Sequence, residues 1–114
     1  MKGVFWVRLE VFVGLTDRYG NPFEWNRIYP KLARKIANIT FATVFKDLQG
    51  IYKNRAGKLI LEDSVMFLMM IPDEEAEVKI EKLKEIFKWF LKETNQETVL
   101  FVKNLTEFEL IKNE

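Results

Sequence analysis

Residues 64–71, SVMFLMMI, place seven apolar side chains in a row behind one serine. A strand with one face on a core and the other in water alternates apolar with polar residues. An unbroken run therefore asks what covers its second face. It is too short to span a bilayer, because Pro72 and Asp73 end it at once. Working outward, the run closes the segment GKLILEDSVMFLMMI, which follows FATVFKDLQGIY across KNRAG. The two flanks read as a β-hairpin with its turn near Asn54–Gly57.

Upstream, residues 4–14 alternate, with Val7, Leu9, Val11 and Val13 on one side and Trp6, Arg8, Glu10 and Phe12 on the other. That period of two predicts a strand. The loop TDRYGNP leads into FEWNRIYPKLARKIANI, where Trp25, Ile28, Leu32, Ile36 and Ile39 recur at helical spacing. Pro30 either kinks this helix or stands in its first turn. Downstream, Asp73 opens a long helix with Glu74, Glu75 and Glu77 set against its dipole. Its stripe is Ala76, Ile80, Leu83, Phe87, Phe90 and Leu91. Thr94–Glu97 ends it, and TVLFVKNLTEFELI supplies the last strand.

The order β-α-β-β-α-β matches the split-βαβ, ferredoxin-like α+β sandwich. It predicts one domain over residues 1–114, with a four-stranded antiparallel sheet and two helices on one face. Strands one and three fall in the middle of the sheet. Val65, Phe67, Met69 and Ile71 then face the helices. Met66, Leu68 and Met70 join Trp6 and Phe12 on the open face, a larger apolar patch than soluble monomers usually show. A second copy of the chain, packed sheet to sheet as a homodimer or higher homo-oligomer, is the expected cover. The alternatives are the loop TDRYGNPFEW folding over the face, or a bulge at Asp63 that reverses the parity beyond it.

Composition narrows the chemistry. The chain has no cysteine and no histidine, which excludes disulfides, thiol catalysis, structural zinc and an imidazole base. Any metal would need carboxylates and carbonyls, hence magnesium or calcium; no metal site and no cofactor is expected from the motifs. There is no glycine-rich phosphate loop and no nucleophile elbow. The N-terminal stretch carries Arg8 and Glu10 inside its apolar run and lacks the cleavage pattern of a secretory signal, so a cytoplasmic protein is expected. Thirteen Glu and thirteen Lys without cysteine lean toward a thermophile.

The same parity places Arg8, Glu10, Glu62 and Ser64 on the open face among Trp6, Phe12, Met66, Leu68 and Met70. A few polar groups in an apolar setting describe a ligand site or interface. Glu10 or Glu62 would act as a base and Arg8 as an anion anchor if an inter-sheet cavity carried chemistry, as in a small enzyme of the dimeric α+β barrel type. The plainer reading pairs Arg8 with a glutamate across the strands. A second cluster, Tyr52, Lys53, Arg55 and Lys58, surrounds the hairpin tip and suits an anion or a nucleic acid. Residues 1–58 carry 11 Lys/Arg against 4 Asp/Glu, and residues 59–114 carry 7 against 13. The basic half, with Lys31, Arg34 and Lys35, makes a nucleic-acid partner a further possibility, though not the favoured one. On the long helix, Val78 and Trp89 fall outside the stripe; both are expected to pack under the hairpin or a terminus, with contact to a partner as the alternative.

Several of these segments resemble a family of small bacterial proteins of unknown function. The shared features are Glu24 and Trp25, Gly50 and Tyr52, Gly57, Glu62 and Ser64, and Gln96 and Glu97. This resemblance implies a ferredoxin-like fold and no activity. VFVGLTDRYGNPFEW followed by ATVFKDLQGIY is also similar to the domains related to nitrogen-regulatory PII proteins. That likeness implies trimers that bind small effectors between subunits. The expected function is a non-enzymatic, self-associating module that binds a small ligand or a protein partner.

Overall fold

The computed structural model describes residues 4–53 and 55–113. Its elements run β1 (Val4–Gly14), α1 (Trp25–Ala37), β2 (Thr43–Lys53), β3 (Leu59–Pro72), α2 (Asp73–Thr94) and β4 (Leu100–Phe108). They form one antiparallel sheet in the order β2-β3-β1-β4, the ferredoxin-like arrangement with β1 and β3 central. Both helices cover one face. The core lies between them and Leu9, Val11 and Val13 of β1 with Val65, Phe67, Met69 and Ile71 of β3. The two strands present these residues in register, Leu9 against Met69 and Val11 against Phe67.

The helices follow their stripes. Leu32 and Ile36 of α1 are buried, as are Ala76, Ile80, Leu83, Phe87 and Phe90 of α2. α1 begins at Trp25, so Pro30 lies inside it rather than in its first turn. A proline there has no N–H to give, and its exposed position lets water satisfy the freed carbonyl. α2 starts with Asp73, Glu74 and Glu75 in its first turn and stops where Asn95 enters the left-handed region at φ 52°. Asparagine tolerates that conformation, and the Gln96 amide then caps the Leu91 carbonyl at 2.9 Å.

Two expectations about the sheet need correction. β3 has no bulge at Asp63; the irregularity lies in β2, between Phe45 and Leu48, with Asp47 at φ 59°. One extra residue on β2 puts Phe45 and Leu48 on the same face, opposite Met66 and Ser64. Nor does the loop after β1 cover the open face. Phe23 and Trp25 turn to the helix side and meet the ring of Phe90 at 5.9 and 6.2 Å. Three large rings gain more from the aromatic core than from a flat sheet face. Trp89 is likewise not under the hairpin but beside α1, with the Lys35 ammonium 4.7 Å from its ring centre, and Val78 packs under neither the hairpin nor a terminus but is 62% exposed.

The hairpin outruns the sheet. β1 ends where Gly14 pairs with Ser64, yet β2 and β3 stay paired for five more residues, to Lys53 and Leu59. This two-stranded arm gives the molecule its 53 Å length against 28 and 27 Å in the other directions. Gly57, at φ 79°, helps close it; Asn54 lies outside the described residues.

Candidate functional site

The open face is built as the parity of β1 and β3 requires. Trp6, Arg8, Glu10 and Phe12 stand beside Met70, Leu68 and Met66 on β3 and beside Asn104, Val102 and Leu100 on β4. Phe12, Phe45 and Leu100 are exposed at 36%, 42% and 58%. Within this face Arg8 meets Glu10 at 3.7 Å, along one strand rather than across two. Both are part-exposed, and such a pair contributes little to stability.

Glu62 does not join them. Its carboxylate lies over Gly14, four residues along β1 from Glu10, a separation of about 13 Å on an extended strand. The grouping of Arg8, Glu10, Glu62 and Ser64 thus divides. Arg8 and Glu10 remain in the middle of the sheet, Ser64 pairs with Gly14 and Leu48, and Glu62 belongs to the root of the arm.

There, a cleft of about 850 Å³ opens between three segments. Gly14, Thr16, Asp17, Arg18 and Gly20 come from the end of β1 and its loop; Tyr52, Lys53, Arg55, Ala56 and Glu62 come from the arm; Gln96, Glu97 and Thr98 follow α2. Glu62 accepts a short hydrogen bond from the Thr16 hydroxyl. A Cβ at position 14 would overlap the Glu62 carboxyl group, so only glycine leaves that carboxylate its place. Asp17 shapes the loop by accepting from the amides of Tyr19 and Asn21, both at 2.9 Å.

Gln96 holds the floor. It is 8% exposed, and its amide nitrogen donates to the carbonyls of Gly14 and Thr16, the latter at 2.7 Å. Its amide oxygen accepts from Thr94, whose hydroxyl also lies 2.7 Å from the Phe90 carbonyl. One side chain therefore ties the end of α2 to the end of β1. The result is a cleft with the Glu62 carboxylate and the Thr16 hydroxyl at its base, and with a phenol, two guanidinium groups, an ammonium and the further carboxylates of Asp17 and Glu97 among its walls. Such a set can accept from hydroxyl donors through its carboxylates, stack a flat ring on Tyr52 and pair negative charge with Arg18, Lys53 or Arg55.

Sequence reasoning named Glu62, Tyr52, Lys53 and Arg55 but split them between two clusters. It did not name Gly14, Thr16 or Arg18 as site residues. The available signal was the Gln96-Glu97 pair after the long helix, which accompanied Glu62 and Ser64 in the resemblance. Lys58 is exposed on the arm, and Lys31, Arg34 and Lys35 lie on α1, on the helix side of the sheet. The basic half of the chain is thus spread over separate surfaces. Among the described residues no three or more acidic side chains cluster as a metal site, and no helix is long and apolar enough to cross a membrane.

These features define a ferredoxin-like α+β domain with a cleft at the root of its hairpin. No family model and no curated protein matches the sequence. Solved structures do match along nearly its whole length. A phage SAM lyase in complex with S-methyl-5′-thioadenosine is similar at a TM-score of 0.67 and 18% identity, over 100% of this chain and 97% of that one. The phage SAM lyase in its apo state is similar at 0.59 and 20% identity, over 98% and 94%. CPII, a nitrogen regulatory PII-like protein from Thiomonas intermedia K12 bound to ADP, AMP and bicarbonate, is similar at 0.57 and 13% identity, over 97% and 100%. At these identities the likeness establishes the shared fold, which agrees with the PII-related pattern in the sequence.

Proposed function

We propose that the protein is a self-associating module that binds an adenosine-bearing small molecule in the cleft at the root of the arm. The observation that carries this reading is the Glu62 carboxylate, seated over Gly14 beside Thr16 in a cleft that Tyr52, Arg18, Lys53 and Arg55 also line. A carboxylate accepts from ribose hydroxyls. A tyrosine ring stacks on a base, and arginine or lysine holds a phosphate. S-methyl-5′-thioadenosine, ADP and AMP, the nucleoside and nucleotides bound in the similar folds, share the adenosine moiety that these groups would take.

Titration calorimetry with AMP, ADP and S-methyl-5′-thioadenosine tests the reading. At least one is expected to bind, and Glu62→Gln is expected to weaken it about 10- to 100-fold through loss of charged hydrogen bonds. Gly14→Ala is expected to match that loss, because the new methyl displaces the carboxylate. No heat from any of the three at millimolar concentration would refute the adenosine class.

Self-association is assigned to the open face, where Trp6, Phe12, Met66, Leu68 and Met70 form one apolar surface. Leu68→Asp at its centre is expected to lower the mass of the native assembly in light scattering on a size-exclusion column. An unchanged mass would place the interface elsewhere. A second reading, that the cleft acts on its ligand, rests on the same Glu62. Incubation with S-adenosylmethionine, with Glu62→Gln as control, separates turnover from binding alone.

A further inference from the structure

The two ends of this elongated molecule are unlike, and their differences match. At one end the arm shows three large aliphatic side chains on its helix-side face, where no helix lies beneath it. Ile51 pairs directly with Leu61, Leu59 follows two residues along the same face, and they are 68%, 57% and 57% exposed. Lys53 and Arg55 flank them at the tip, both exposed. At the other end, on that same face, Phe5 of β1 and Leu105 of the edge strand β4 are exposed at 54% and 62%. Beside them β3 passes into α2, whose exposed first residues are Asp73, Glu74 and Glu75, followed by Glu77. Glu107, opposite Phe5 on β4, adds to the negative end.

From this we infer that the arm of one copy docks on the far end of a second copy, in a head-to-tail contact distinct from the open-face interface. Each end combines exposed aliphatic or aromatic groups with charge, and the signs are opposite. A chain whose net charge is only +1 therefore carries complementary poles. The open face cannot serve both partners, because the arm's aliphatic residues lie on the opposite side of the sheet from Met66 and Leu68. The two ends are different surfaces, so the contact is heterologous, and its repetition builds a ring if the rotation closes and an open filament if it does not. This inference does not rest on the proposed ligand, although Lys53 and Arg55 of the arm also line the cleft.

The absence of natural cysteine makes the contact directly testable. A chain carrying Ile51→Cys is mixed with one carrying Leu105→Cys and oxidised mildly at low salt. The expected product is the mixed disulfide dimer, in excess over either homodimer, and reduced at about 0.5 M salt as screening weakens the charged part of the contact. Glu74→Lys with Glu77→Lys in the Leu105→Cys chain is expected to lower the mixed product about fivefold or more. Lys53→Glu with Arg55→Glu in the Ile51→Cys partner is then expected to restore it. Homodimers through Ile51→Cys in equal or greater yield would mean arm against arm, and would overturn the proposal. So would no cross-link above that of the single chains, or a failure of the paired reversals to rescue. These substitutions lie at exposed positions, and thermal melts of each chain confirm that the fold is kept.

Discussion

Phe87→Ala is expected to lower the stability of the domain by about 3–5 kcal/mol, the range for truncating a fully buried phenylalanine. Phe87 is 1% exposed and stands at the centre of the aromatic core. Its ring meets Phe67 of β3 at 5.7 Å, Phe101 of β4 at 5.5 Å and Phe90 of α2 at 6.4 Å, all at steep angles. Edge-to-face pairs contribute beyond the area they bury. Removing the ring empties a space walled by three rigid neighbours, which cannot close it by changing rotamer. Val78, on the same helix but 62% exposed, is the control: Val78→Ala is expected to stay within about 0.5 kcal/mol. Urea denaturation of the two variants measures the contrast. A loss below about 1 kcal/mol for Phe87→Ala would show that the aromatic cluster does not organise this core.

The second large effect is expected at Gln96, and the informative variant is the near-isosteric one. Gln96→Glu keeps the shape of the side chain and replaces its two N–H donors with a carboxylate, which only accepts. The carbonyls of Gly14 and Thr16 then face negative charge instead of a donor. The loss is expected to reach about 2–4 kcal/mol, at least as large as for Gln96→Ala, since buried polar groups left unsatisfied each cost about 1–3 kcal/mol. Because those carbonyls belong to the residues that seat Glu62, ligand affinity should fall together with stability. Urea denaturation and calorimetry on the same protein check both. If Gln96→Glu is neutral in urea, the tie between α2 and β1 has no structural weight and the cleft is shaped by the arm alone.

These two sites divide between what can be read along the chain and what cannot. The stripe holding Phe87 is legible because a helix repeats every 3.6 residues, and burial of one face leaves that period in the sequence. The alternation of Leu9, Val11 and Val13 is legible for the same kind of reason, with a period of two. The apolar run at 64–71 correctly predicts a strand with helices on one face and an apolar open face on the other. Element order and handedness then leave one sheet topology. Gln96 has no period. It lies just past a helix and binds carbonyls 82 and 80 positions away, and no local pattern records such distant partners.

The candidate site shows the same limit. Parity along β3 puts Glu62 and Ser64 on one face with Arg8 and Glu10, and that face is where they are. Parity says nothing of position along the strand. Register, set by the pairing of Gly14 with Ser64, carries Glu62 past the end of β1 to the root of the arm, away from Glu10 and toward Tyr52, Lys53 and Arg55. The bulge at Asp47 is equally silent in sequence, because it follows from keeping Phe45 and Leu48 on one face of a twisted sheet.

By itself, then, the sequence determined the class of the fold, its helices and strands, and the apolar character of the open face, because each is written as a repeat that burial imposes. The tertiary structure decided where the cleft lies and which side chains share it. Those depend on register and on contacts between residues far apart in the chain, and only the folded sheet brings the two ends of β1 and α2 to one carboxylate.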